Sequence, residues 1–144
     1  MKLALDFGPT EILKQIEKTN IKGNHLIFID DFSAFELENI FKTAEMLEPF
    51  WRSNIPLLSG KILCTQFFQP STRTRFSHET AMIRLGGSII TESNPLVSSS
   101  AAKGESLYDS LRVTSQYSDI IVLRHPDEGV IETIKKLGTD SSPI

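Results

Sequence analysis

Apolar and polar positions along the chain fall into alternating short and long periods. Residues 60–68, "GKILCTQFF", form a short apolar run bounded by turn residues, the pattern of a buried strand. Residues 119–125, "DIIVLRH", repeat it, and "GGSIITES" marks a third strand between them. Helical periods fill the intervals. A helix is expected from Pro70 and Ser71 to about Leu85, another over "ESLYDSLRVTSQYS" with Leu107 and Leu111 four apart, and a last one in "DEGVIETIKKLG". There Val130, Ile131, Ile134 and Leu137 face inward and Gly138 is the stop. Upstream, Ser33 with Glu36 is a capping-box pair opening a helix whose apolar stripe is Leu37, Ile40, Phe41, Ala44 and Leu47. "PTEILKQIEKTN" reads as a short helix, "HLIFID" at residues 25–30 as a strand, and Pro49 and Pro56 bracket a loop around Trp51.

From residue 60 the order is therefore β, α, β, α, β, α. Alternation with apolar strands predicts a three-layer α/β/α domain with a mainly parallel sheet. In such sheets ligands bind beyond the carboxyl ends of the strands. Three polar segments fall there: "QPSTRTR", "SSSAAKGE" and "LRHP". Residues 1–24 read as an N-terminal extension and residues 25–144 as one domain.

The 144 residues carry 15 Lys and Arg against 18 Asp and Glu, a net charge of -3. A general nucleic-acid binder would show a basic excess, so the local cluster of Arg73 and Arg75 suits a small anion better than a polyanion. The single Cys64 sits in an apolar run, which excludes an internal disulfide and fits core packing in a reducing compartment. No apolar run reaches the length of a membrane span, and Asp6 and Gly8 interrupt the N-terminus, so neither a membrane nor a signal peptide is expected and the cytoplasm is the default. No Cys, His or carboxylate set has metal spacing, and His78 and His25 take structural readings.

Ser71, Thr72, Arg73 and Thr74 open a helix immediately after a buried strand. A helix start offers unpaired N–H groups and partial positive charge, hydroxyls add donors, and a guanidinium grips two phosphate oxygens. Ser71 could also simply cap the helix; its place after the strand favours an anion site, with Arg73 the principal cation and Arg75 a supporting or surface charge. The nucleotide P-loop pattern is absent. Arg124 is either a solvated strand end or a second clamp. The Ser- and Ala-rich loop ending in Lys103 is either a connector or a cover over a ligand.

The segments "FFQPSTRTRFSHETAMIRLGGSII" and "SSSAAKGESLYDSLRVTSQYSDIIVLRHPDEG", in this order, resemble the carbamoyl-phosphate-binding domain of the aspartate and ornithine carbamoyltransferases. "RLGG" and "LRHP" are closer to the aspartate enzymes. The resemblance implies that Ser71, Thr72, Arg73 and Thr74 hold the phosphate of carbamoyl phosphate, and that Thr74 and Arg124 approach its carbonyl oxygen. It implies that Ser99 and Lys103 reach the site of a neighbouring subunit in a homotrimer. The implied catalytic set is Thr74, Arg124 and Lys103. The implied activity is carbamoyl transfer to the amine of aspartate, an early step towards pyrimidines, with no metal or organic cofactor. Two departures stand out. Gln69 occupies a position that is usually charged and bears on domain closure, and His78 stands where an aromatic is common. The chain stops at "TDSSPI", before the family's H-P-T-Q segment and aspartate-binding domain, so a domain-sized piece of a longer protein is expected, inactive alone. The alternatives are a non-catalytic anion-binding or assembly module, and a transferase for another amine.

Overall fold

The computed structural model describes residues 8–19, 21, 23–92, 104–138 and 142–144. Its elements are α1 (Pro9–Ile16), α2 (Ala34–Leu47), β1 (Ile62–Phe67), α3 (Thr72–Arg84), β2 (Ser88–Glu92), α4 (Leu107–Thr114), β3 (Ile120–Arg124) and α5 (Val130–Leu137). The described strands form a parallel sheet in the order β2, β1, β3, with β1 at the centre. A parallel sheet needs both faces covered, and β1 is buried along nearly its whole length. Cys64 points to one face and packs with Leu111 of α4, Ile121 of β3, and Val130 and Ile134 of α5. Thr65 points to the other face, towards α3, where its hydroxyl donates to Glu79. The three-layer α/β/α reading of the sequence holds.

α3 ends as the "RLGG" run predicts. Gly86 N–H donates to Ile83 O and Gly87 N–H to Met82 O, each at 3.0 Å, closing the helix with Gly86 at φ +84°. A Cβ on Gly86 would lie 2.8 Å from Pro56 Cα. The left-handed backbone alone costs an L-residue about 1–2 kcal/mol, and the contact with backbone adds to it. Gly86→Ala is expected to destabilise the domain by about 2 kcal/mol or more, read as a lower urea midpoint at unchanged slope.

Two sequence expectations are corrected. Residues 25–28 form no strand, and Ile29–Asp31 is a 3-10 turn. The groups that would build a ladder are engaged elsewhere. The Asp31 carboxylate accepts from Phe28 N–H at 3.3 Å, the kind of local bond that competes with extended structure. Leu26 N–H donates to Ile144 O at 2.8 Å. His25 is tied on both ring nitrogens, Nε2 at 2.9 Å from Gly138 O and Nδ1 accepting from Ile144 N–H at 3.2 Å, which agrees with its structural reading. The second correction concerns α2. Its N-terminus is the capping box expected of Ser33 and Glu36, but its one buried residue is Asn39, while Phe41 of the predicted stripe is 63% exposed. α1 packs on α2 with Ile12 fully buried, and Gln15 Nε2 donates to Asn39 Oδ1 at 2.7 Å. A paired amide thus takes the place that periodicity gave to an aromatic ring.

Candidate functional site

The carboxyl ends of β1 and β3 lie side by side, with Phe67 in register with Arg124. The chain leaving β1 turns at once into α3. Arg124 secures that turn with its backbone: its carbonyl accepts from Phe68 N–H at 2.8 Å and from Gln69 N–H at 3.3 Å. The next turn is secured by a ring contact. Phe68 and His125 have centroids 4.7 Å apart at a 52° tilt, and His125 Nδ1 accepts from Asp127 N–H at 3.0 Å.

Ser71 precedes the first turn of α3 in an extended conformation, and no side chain caps that turn. The Ser71 hydroxyl donates instead to Thr74 Oγ1 at 2.9 Å. The first intrahelical bond runs from Arg75 N–H to Ser71 O. The amides of Thr72, Arg73 and Thr74 therefore have no acceptor among the described residues, and the helix dipole adds partial positive charge at the same place. The capping reading of Ser71 does not hold; its hydroxyl is turned across the helix start. Arg73 is exposed and makes no ion pair with a described residue. A small cavity of about 190 Å³ adjoins this turn, lined by Phe67, Pro70, Ser71, Thr72 and Arg75. An oxyanion placed here meets backbone donors, hydroxyls and an exposed guanidinium, the donor set suited to phosphate.

Arg124 and Arg75 flank the turn, and each has a buried Nε with no hydrogen-bond partner among the described residues. Of the two sequence readings of Arg75, a supporting or a surface charge, this favours the supporting one: its side chain is 27% exposed and its Nε lies 3.7 Å from Glu79 Oε1. Glu79 was missed altogether. The signal was present, an Arg and a Glu four apart on one helix, facing threonines placed within apolar strands. His78 behaves as a structural residue, its Nδ1 donating to Thr74 O at 2.8 Å, and no metal-ligating cluster occurs among the described residues. Gln69 is exposed at the mouth of the turn. Ser99 and Lys103 lie outside the described residues. Among those described, no helix is long and apolar enough to cross a membrane.

Two titrating groups report their surroundings. Burial pushes the Cys64 thiol up to about 11, with the charge of Glu92 adding to it. Cys64 is a protonated core residue and not a nucleophile. Burial lowers the His125 imidazole below its ordinary value of 6.5, against an opposing pull from Asp127. A depressed value favours the neutral ring, so the stability it contributes is complete above about pH 6.5 and is lost as pH falls through the folded value. The melting temperature is expected to drop more between pH 7.5 and 5.5 for the natural sequence than for His125→Gln, as followed by circular dichroism.

Fold and site together define an α/β domain whose α3 starts, without a side-chain cap among the described residues, at the carboxyl edge of a parallel sheet. The chain belongs to the aspartate/ornithine carbamoyltransferase family, whose carbamoyl-P binding domain matches residues 24–144. It is 55% identical over 107 residues to the aspartate carbamoyltransferase catalytic subunit of Methanocaldococcus jannaschii, covering 73% of this chain and 35% of that protein. It is 53% identical over 113 residues to the ureidoglycine carbamoyltransferase of Rubrobacter xylanophilus, covering 78% of this chain and 33% of the relative. Among solved structures, it superimposes on aspartate transcarbamoylase from Trypanosoma cruzi in complex with carbamoyl aspartate and phosphate with a TM-score of 0.79. The identity is 32%, over 88% of this chain and 40% of that one. The catalytic subunit of M. jannaschii aspartate transcarbamoylase gives a TM-score of 0.75 at 49% identity, covering 84% of this chain and 40% of that one. The chain thus spans between 33% and 40% of the length of these relatives.

Proposed function

We propose that this chain is the carbamoyl-phosphate-binding part of a carbamoyltransferase that forms N-carbamoyl-L-aspartate for pyrimidine synthesis. The observation that carries the reading is the start of α3, where the amides of Thr72, Arg73 and Thr74 have no acceptor among the described residues, in a chain that matches the family's carbamoyl-P binding domain. The amides of residues 72–74 and the side chains of Ser71, Thr72, Arg73 and Thr74 hold the phosphate. Thr74 and Arg124 address the carbonyl oxygen. The neutral amine of the acceptor attacks the carbamoyl carbon, a tetrahedral intermediate forms, its C–O bond to phosphate breaks, and the amine proton is released. No protein nucleophile is needed. Rate comes from holding two anions together and from donors placed where negative charge grows on the carbonyl oxygen and the departing phosphate. Ser99 and Lys103 complete the site of a neighbouring subunit in a homotrimer. The buried reduced thiol of Cys64 suits the cytoplasm. Residues 25–144 are the carbamoyl-phosphate-binding domain, and the extension before it contributes α1, which packs on α2.

A second reading differs only in the acceptor. Identity of 53% to a ureidoglycine carbamoyltransferase stands beside 55% to an aspartate enzyme. The test is an assay of the product of the complete reading frame containing this sequence, with carbamoyl phosphate and a panel of amines. Transfer to aspartate supports the first reading. Transfer to ureidoglycine or another amine alone supports the second, and no transfer with phosphate still bound supports a non-catalytic module.

A further inference from the structure

α3 carries the anion-binding turn, yet little apolar packing fixes that end of it. Its one buried residue is Met82, near the opposite end. Phe76 and Ile83 are 52% and 51% exposed. The closing turn at Gly86 and Gly87 secures the same far end. The Arg124 carbonyl holds the chain entering α3 at Phe68 and Gln69, and between these two ends the lie of the helix on the sheet is left largely to polar contacts.

The middle of the helix is tied to the sheet by a carboxylate, that of Glu79. Glu79 Oε1 accepts from Thr65 Oγ1 of β1 at 2.9 Å and from Thr91 Oγ1 of β2 at 2.7 Å. Those threonines are register partners across the sheet, and Thr65 Oγ1 is itself 3.2 Å from Thr91 Oγ1. Thr65 is fully buried and the Glu79 side chain is 14% exposed, so these bonds lie largely out of water. On its other side Glu79 faces Arg75, which lines the cavity beside Ser71 and Thr72. Glu79 therefore ties α3 to two strands at once and to the residue just inside the binding turn.

We propose that Glu79 is the positioning residue of the anion site: bonded to Thr65 and Thr91, it sets the height and rotation of the first turns of α3, so that the free amides of Thr72, Arg73 and Thr74 converge on one anion. The proposal rests on the anion-site reading above. Glu79 touches no ligand; it acts through the helix. Binding donors displaced by about 1 Å lose affinity by an order of magnitude or more.

The test is titration of inorganic phosphate into the chain, followed by backbone amide spectra well below the melting temperature, for the natural sequence, Glu79→Ala, Glu79→Gln and Thr91→Val. Glu79→Gln keeps an oxygen able to accept from both hydroxyls, and Thr91→Val removes one donor from a strand while keeping the branched shape. Glu79→Ala is expected to weaken phosphate binding about 10-fold or more and Thr91→Val about 3-fold. Both should shift the amides of residues 72–74 before any ligand is added, and Glu79→Gln should stay within about 3-fold of the natural sequence. A role confined to stability would lower the melting temperature and leave those shifts and the affinity alone. Failure of the natural sequence to bind phosphate overturns the anion-site reading and this proposal with it. Binding by the natural sequence that is unchanged in Thr91→Val and in whichever Glu79 variants fold overturns the proposal alone.

Discussion

Phosphate is expected to bind Arg73→Ala about 100-fold more weakly than the natural sequence. Arg73 stands in the uncapped turn, exposed, and no ion pair with a described residue competes for its guanidinium. A bidentate pair of charge-assisted hydrogen bonds contributes about 3 kcal/mol, which is roughly two decades in affinity. The remaining amides and hydroxyls still attract an anion, so binding weakens without being lost. Because the side chain touches no core residue, the variant should unfold at the same urea concentration as its parent. Calorimetric titration with phosphate, beside a urea melt, checks both halves. A large loss of stability would mean that Arg73 has a structural partner in solution, and unchanged affinity would remove it from the site.

The second large effect lies in the core. Leu111→Ala is expected to destabilise the domain by about 2–5 kcal/mol. Leu111 is fully buried on α4, against Cys64, Ile121, Val130 and Ile134, where α4 and α5 meet the sheet. Truncation removes its transfer free energy and leaves a cavity that a close-packed layer fills only in part. A domain of this size has a total stability of about 5–15 kcal/mol, so the loss is a large share of it. Phe41→Ala is the control: the ring is 63% exposed, and its removal should change stability by no more than about 0.5 kcal/mol. Thermal melts of the two variants side by side decide whether the buried face of the sheet is where this fold puts it.

The same pair of residues marks how far the sequence could be read. Leu107, Leu111, Val130 and Ile134 stand at helical spacing beside apolar strands, and such a pattern has few ways to bury itself. The parallel sheet, its two faces, and the placing of the Ser71 turn and Arg124 on one edge followed from it. Phe41 also fitted a helical stripe. Periodicity identifies an apolar face but not which neighbour covers it, and α1 reaches α2 through Gln15 and Asn39 instead. Residues 25–30 looked like a strand because their composition is that of one. The turn there depends on one carboxylate, Asp31, and on long-range contacts of His25 and Leu26 with Gly138 and Ile144, which no local window contains.

At the site, the donors were legible and their support was not. Ser71, Thr72, Arg73 and Thr74 announce themselves by density. Glu79 does not, since one carboxylate on a helix is ordinary, and only the register of Thr65 with Thr91 gives it two donors at once. Arg75 stayed open between a supporting and a surface charge for the same reason. Its burial is decided by where Glu79 sits, and so by how α3 lies across the sheet.

The central claim is that the first turn of α3 is an anion site formed by backbone amides. Titrating phosphate into the isotope-labelled chain and following its amide resonances tests this most directly. The result predicted is a saturable shift, largest at Thr72, Arg73 and Thr74 and small along α1 and α5. Saturable binding with those three amides unmoved, or no binding at all, would contradict it.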